Sequence, residues 1–216
     1  AARINAVFAL PEDPEGEGAI PDPEAPLVEM KNASFSFGGE ENAVGGLNIT
    51  LHRGETLGVI GTTGSGKSTL AGLLVRFYRA TEGEVRIAGN DIRDYTDEQL
   101  RSLVTLAPQK PLLFSGTVRG NLEMSGVSDD DKMTEALMTS RAWGFLEEKA
   151  GLDSEVTQKG NNYSGGEKQR ISLARALLRS APVLVLDDAA SALDYVTEAE
   201  VMSSVRKMCR DKAVIN

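Results

Sequence analysis

Within this chain of 216 residues, Gly61-Thr62-Thr63-Gly64-Ser65-Gly66-Lys67-Ser68 is the stretch whose residue types and spacing point most directly to chemistry. It lies between an apolar run, Leu57 to Ile60, which reads as a short buried strand, and Thr69 to Val75, whose leucines recur at helical spacing. Strand, glycine-rich turn ending in Gly-Lys-Ser, and helix together predict a phosphate-binding P-loop. Each part has a task. Glycines let successive backbone N–H groups point inward at a polyphosphate. The helix N-terminus adds partial positive charge, and Lys67 reaches the β- and γ-phosphates. Ser68 offers a hydroxyl to Mg²⁺, which keeps most of its shell as water and phosphate oxygen. Gly61, Thr62, Thr63, Gly64, Ser65, Gly66, Lys67, Ser68 and Thr69 are therefore the expected nucleotide-binding set. The bland alternative is a glycine-rich loop that merely caps a helix.

Two further stretches carry polar groups at the ends of predicted elements. Asn161-Asn162-Tyr163-Ser164-Gly165-Gly166 is a second glycine-bearing turn, opening a helix from Glu167 to Arg179. Val183 to Leu186 is a bare apolar run after Pro182, the pattern of a fully buried parallel strand, and it ends in Asp187-Asp188.

The elements that must position these residues are legible in outline. Leu27 to Phe37 alternates like a strand, and Asn42 to Arg53 reads as a turn and a second strand. His52 falls in a tight turn, as a solvated residue rather than a catalytic one. Val85 to Ile87 is a short strand, and Thr96 caps a helix running to Leu103. Val104 to Ala107 is a buried strand ending at Pro108-Gln109. Ser128 and Asp131 are spaced as a capping box, and Lys132 to Leu152 is helical in pattern, with Trp143 and Phe145 filling the small core of that segment. This predicts a helical lobe inserted between two halves of an α/β core. Ser191 to Asp194 is a turn, Tyr195 to Met208 a helix, and Ala213 to Ile215 the start of another buried strand.

Composition narrows the class. The chain is 41% hydrophobic and 25% charged with a net charge of −9, which is ordinary for a globular protein and argues against a nucleic-acid footprint. One cysteine, Cys209, cannot form an internal disulfide and reads as a small apolar residue on a helix face. No apolar run is long enough to cross a bilayer. Ala1 to Leu10 has the apolar pattern of a helix end, and Pro11 to Pro26 is rich in proline, glycine and acids like an extended linker.

Taken in order, these motifs resemble the ATP-binding domain of ABC transporters over nearly all of residues 27–216. Gly61 to Ser68 matches that family's Walker A loop and Pro108-Gln109 its Q-loop. Tyr163-Ser164-Gly165-Gly166-Glu167 resembles the signature motif, Val183 to Asp187 is similar to Walker B, and Ser191 to Asp194 to the D-loop. The resemblance implies an α/β P-loop NTPase core with a parallel sheet, an antiparallel β subdomain and an inserted helical lobe over about 110–180. It also implies MgATP as ligand, with Ser68, Gln109 and Asp187 on the metal and Lys67, Gln109 and Asp188 as the catalytic groups. Phe37 sits where the family stacks an aromatic ring on adenine; its competing reading is a plain strand core residue. Ser164, Gly165, Gly166 and Glu167 are expected to face a nucleotide held by another chain, because two such domains close head to tail.

The exporter branch is the closer match, through Gly116 to Leu122 and the stretch Glu155-Val156 to Gly160. Thr157, Gln158 and Lys159 depart from the usual residues there. By resemblance, residues 1–26 lead in from a membrane domain, the expected partners are that domain and a second ATP-binding domain, a different chain as in heterodimeric exporters with one weakened site, and the expected location is the cytoplasmic face of a membrane. The switch histidine would fall a few residues beyond Asn216, so the chain reads as cut before that region and, alone, as marginally stable. Two departures bear on activity. Asp188 stands where glutamate normally polarises the attacking water, and is read equally as a slow base or as an acid shaping the Mg²⁺ field. Glu167 replaces the usual glutamine. Beside an exporter ATPase stand two alternatives: a regulatory half that binds ATP and barely hydrolyses it, and a soluble non-transport ABC ATPase.

Overall fold

The computed structural model describes residues 15–39 and 41–216; the expected lead-in helix end, Ala1 to Leu10, lies outside them. An antiparallel sheet is built first. Its strands are β1 (Val28–Phe35), β2 (Val44–Leu51), β4 (Glu82–Ile87) and β5 (Asn90–Asp91), in the order β2-β1-β4-β5. A second sheet is parallel, in the order β3-β10-β9-β6, from β3 (Thr56–Leu57), β6 (Val104–Ala107), β9 (Val183–Leu186) and β10 (Ala213–Ile215).

Between the two sheets lies α1 (Lys67–Leu74), the helix that opens on the P-loop. Its Leu70, Ala71, Leu73 and Leu74 are buried in one core with Val28 and Met30 of β1 and with Val183, Val185, Ala213 and Ile215 of the parallel sheet. Strand geometry sends alternate side chains to opposite faces. Leu184, Leu186 and Val214 accordingly enter a different core, shared with the helical lobe. A bare apolar strand is thus explained: both faces of β9 are covered, and all four of its residues are buried.

The lobe comprises a small hairpin of β7 (Gly116–Thr117) with β8 (Glu155–Val156), and the helices α3 (Val118–Glu123), α4 (Asp130–Thr139), α5 (Trp143–Glu147) and α6 (Gly165–Leu177). Helices α2 (Asp97–Leu103) and α7 (Tyr195–Met208) complete the chain. Thr96 caps α2 as expected, in a full capping box with Gln99.

Several expectations need correction. The cap of α4 is Asp129, whose carboxylate accepts from the Lys132 N–H at 3.0 Å, and not Ser128. The helical run from Lys132 breaks at Arg141, which has φ 59°, because Ser140 and Ala142 turn the chain back onto the lobe core. Trp143 and Phe145 pack against the lobe core as expected, but that core is not the segment's own, since it is shared with Leu184, Leu186 and Val214. The run before the P-loop is not the buried strand expected: among the described residues β3 has only β10 as a neighbour, and Ile60 is fully exposed.

The described part of the acidic linker is extended but docked. The Gln99 side chain accepts from Ala19 N–H at 3.2 Å and donates to Ala19 O at 3.2 Å. Asp22 N–H donates to Ala88 O at 2.9 Å, and Gly18 N–H to Asp94 O at 3.0 Å. Residues 15–26 therefore run along α2 and the β4–β5 turn.

Candidate functional site

The P-loop owes its shape to Gly66, which sits at φ 92° as the N-cap of α1. A Cβ at that position would meet Val44 Cγ1 at 2.5 Å and Ala43 O at 2.6 Å, so only glycine allows the loop to pass so close to β2. The Lys67 ammonium donates to Gly61 O at 2.7 Å and reaches Thr62 O at 3.4 Å, lying back over the loop it would serve. The first N–H groups of α1 have no partner within the helix, as at every helix start.

A cavity of about 340 Å³ opens over this loop, lined by Phe37, Ala43, residues 63–69, Gln109 and Asp188. The structure thus gathers most of the expected nucleotide set around one space, from four separate parts of the chain. Phe37 is 67% exposed, which excludes the core reading; its ring meets Phe35 edge-on at 4.8 Å and Tyr78 at 5.2 Å. Ser68 donates to the Asp187 carboxylate at 2.9 Å. Gln109 Nε2 stands 3.4 Å from Asp188 Oδ2. Parallel pairing of β6 with β9 brings these two strand ends together, and Asp187 N–H donates to Ala107 O at 3.0 Å.

The donor set suits Mg²⁺: a hydroxyl, a carboxylate and an amide oxygen, all hard ligands. Among the described residues no three His, Cys, Asp or Glu cluster as a metal site. The ion would therefore be completed by phosphate oxygens and water.

Ser164, Gly165 and Gly166 are elsewhere. They line a separate open hollow of about 500 Å³ with Arg170, Ala192, Leu193, Asp194 and Thr197, and no residue lines both spaces. Glu167 is not part of that lining. Its carboxylate turns back to accept from Ser164 N–H at 2.7 Å, while Glu167 N–H reaches the Ser164 hydroxyl at 3.3 Å. Burial pushes the Glu167 carboxyl up, but the Ser164 hydrogen bonds and the charges of Lys149 and Arg170 hold it below its usual range. In this structure Glu167 acts as a helix cap, with its carboxylate held on Ser164.

Two residues near these sites escape a reading of motifs. Gln169, inside α6, is 5% exposed and spends its amide on Gln109 O at 3.2 Å, Ser191 Oγ at 3.2 Å and Ala192 N–H at 2.9 Å. Arg175, one helical face further on, donates to Leu112 O at 2.9 Å and so pins the segment after Gln109. It lines a cleft of about 200 Å³ between β6 and α6, with Phe114 and Met124 on its rim. Three atoms there, Arg175 Nη1, Thr105 Oγ1 and Ser172 Oγ, are buried without partners. A buried Gln or Arg with partners dozens of residues away leaves no local pattern. The one available signal is a polar residue on the apolar face of a helix.

A family profile described as ABC transporter matches residues 44–191. The chain is 36% identical to an ATP-dependent lipid A-core flippase of Desulfotalea psychrophila over 98% of its own length and 38% of that protein's. It is 41% identical to a beta-(1→2)glucan export ATP-binding/permease protein of Rhodopseudomonas palustris, over 92% of this chain and 33% of that protein. Among solved structures, a bacterial Atm1-family ABC exporter with ATP bound superposes with a TM-score of 0.88 at 30% identity, covering 99% of this chain and 38% of that one. The chain thus spans less than two fifths of the length of these relatives.

Proposed function

The chain belongs to the ABC transporter family, and from that premise we propose that it is the ATP-binding and ATP-hydrolysing domain of an exporter. Its partners are a second domain of the same kind and the membrane-spanning domain of the same transporter, with the site on the cytoplasmic face. One observation carries this reading. Residues 63–69 of the P-loop line one hollow and, with no shared residue, Ser164, Gly165 and Gly166 line a second, whose lining includes no lysine. A helix N-terminus with free N–H groups is an anion site. Two half-sites on one chain are completed when two chains meet head to tail.

The reaction is transfer of the γ-phosphoryl group to water, achieved by positioning and charge stabilisation. Lys67 and the loop N–H groups hold the β- and γ-phosphates, and Phe37 offers a ring to the base. Ser68, Asp187 and Gln109 would hold Mg²⁺, which neutralises developing phosphate charge when bound. Asp188 orients the attacking water and takes its proton, with Gln109 as its neighbour. The exposed Leu112, Phe114 and Met124 beside the Arg175 cleft support contact with a membrane domain close to the Q-loop segment. Among the described residues no helix is long and apolar enough to cross a membrane, so the crossing would belong to that domain. Names of relatives matched over more than nine tenths of this chain favour export over a soluble non-transport ATPase.

Phosphate release from MgATP by the assembled transporter tests the reading. Lys67→Ala should remove it together with nucleotide binding, and unchanged turnover in that variant would sink the assignment. A second reading is favoured by Asp188 alone: that this site binds MgATP well, hydrolyses it slowly, and is paired with a different chain that turns over faster.

A further inference from the structure

Helix α6 begins at the Ser164 hollow and ends under β6, so it touches both halves of the machinery. Its residue Gln169 is nearly inaccessible to solvent, at 5% exposure, and uses both ends of its amide. The NH₂ group donates to Gln109 O and to Ser191 Oγ, each at 3.2 Å. The amide oxygen accepts from Ala192 N–H at 2.9 Å. An amide of this kind offers two donors and one acceptor oxygen, and all of them are spent on the two loops that follow β6 and β9, whose side chains also meet at Gln109 and Asp188.

What those loops hold makes the bond significant. Asp188 sits at φ 47°, in the left-handed region that a residue with a Cβ rarely occupies. Such a conformation persists where surrounding structure over-determines it. After Asp188 the chain turns through Ser191 N–H to Asp188 O at 3.1 Å and Leu193 N–H to Ala190 O at 3.0 Å. Gln169 grips that turn at Ser191 and Ala192, and with the same amide grips the peptide of Gln109. Pairing of β6 with β9 brings Asp188 and Gln109 side by side, side chain to side chain at 3.4 Å, and beyond the strand ends a group that lines neither hollow ties their two loops together.

We propose that Gln169 is a positioning residue for hydrolysis: it locks the Gln109 peptide and the turn at 188–192 into one unit carried by α6. Movement of the Ser164 end of that helix is thereby felt at the water-orienting pair. This rests on the ATPase reading above, but it concerns residues with no part in holding phosphate.

Two variants separate the bonds. Gln169→Leu removes all three. Gln169→Glu keeps an acceptor for Ala192 N–H but loses both donations and sets a carboxylate against Gln109 O. Hydrogen exchange on this chain should show the amides of Ser191 and Ala192 exchanging at least tenfold faster in Gln169→Leu, with Ala192 still protected in Gln169→Glu. Amides of α1 and β9 should keep wild-type protection in both. In the assembled transporter both variants should lower kcat at least tenfold and leave KM for MgATP within twofold. Added to Asp188→Asn, Gln169→Leu should cost no more than twofold, because the group it positions is already gone.

Unchanged exchange at Ser191 and Ala192, full kcat in Gln169→Glu, or an undiminished loss in the Asp188→Asn background would each overturn the proposal. Exchange slackened across α1 and β9 as well would also overturn it, since Gln169 would then be a core residue only. Absence of turnover in the wild type would instead count against the ATPase reading, and the exchange result would still decide whether Gln169 holds the two loops together.

Discussion

Aspartate reaches about 1.5 Å less far than glutamate, one carbon–carbon bond, and at position 188 that difference falls on the group facing Gln109. A misplacement of about 1 Å can cost roughly 100-fold in rate, or about 2.7 kcal/mol of barrier. Binding should be spared, because in the proposed site phosphate and metal would be met by Lys67, Ser68 and Asp187, which the shorter acid leaves in place. Single-turnover hydrolysis at this chain's own site should therefore speed up on Asp188→Glu by one to two orders of magnitude, with MgATP affinity unchanged. Fast hydrolysis in the wild type, indifferent to the longer acid, would remove the case for an unequal pair of sites. The residues that carry this argument differ in how they can be read. Lys67, Ser68 and Asp187 stand out in the sequence because their motifs are local. Gln169 does not, since its partners lie 60 and 22 residues away, at Gln109 and Ser191. Glu167 carries two readings. Its place in the motif puts it in the expected binding set, and its spacing from Ser164 also makes it a cap, as the structure shows.

Among the elements, those with a start signal of their own were legible. Thr96 precedes α2 with Gln99 three residues on, and both halves of the capping box form. Gln99 then does more than its position suggests, for its amide also holds Ala19 by two hydrogen bonds. Losing a cap costs about 1 kcal/mol. Thr96→Ala should lower stability by about that amount in urea melts and leave residues 15–26 in place. Gln99→Leu should cost the same and also expose the segment around Ala19 to proteases, at a rate that Thr96→Ala does not reach. Equal protease sensitivity in the two variants would mean that the segment is held by other contacts. The sequence leaves the α4 cap ambiguous by a residue, because Ser128, Asp129, Asp130 and Asp131 can all cap. The choice falls to Asp129 through packing of Met133, Ala136 and Leu137, which helical periodicity must aim inward. The break at Arg141 has no glycine or proline to announce it, and it follows from the lobe core rather than from local sequence.

At the scale of the whole molecule, alternation along β9 and β10 divides the apolar residues between two cores, and that division separates the P-loop from the Ser164 hollow. Charge acts at this scale as well. Arg76 holds the Asp97 carboxyl below its usual range through a hydrogen bond, joined by the charge of Arg101. Asp194 is likewise held low by the Thr197 hydroxyl and N–H. Unfolded, these carboxyls titrate near about pH 4. Between that value and the lower folded one the unfolded chain binds more protons, so stability rises with pH there. The contribution is complete above the unfolded value and is lost as pH falls through the folded one. Urea midpoints should therefore hold steady above about pH 5 and drop below it, and Asp97→Asn should flatten that acid limb. The separation of the two hollows also makes a charge change at Gly165 informative. A Cβ there meets nothing within 4 Å, whereas one at Gly166 would press on Ala192 O at 3.1 Å and Leu193 Cδ2 at 3.2 Å. Gly165→Asp should therefore fold normally and alter only the field of the Ser164 hollow. A carboxylate facing a γ-phosphate across an interface is repelled. MgATP binding to the variant's own Lys67 should stay within twofold of wild type, measured by titration, while ATP-driven dimerisation, measured by sedimentation, is abolished. If the variant instead lost its own nucleotide, the hollow would belong to the site on its own chain, and the head-to-tail arrangement would fall with it.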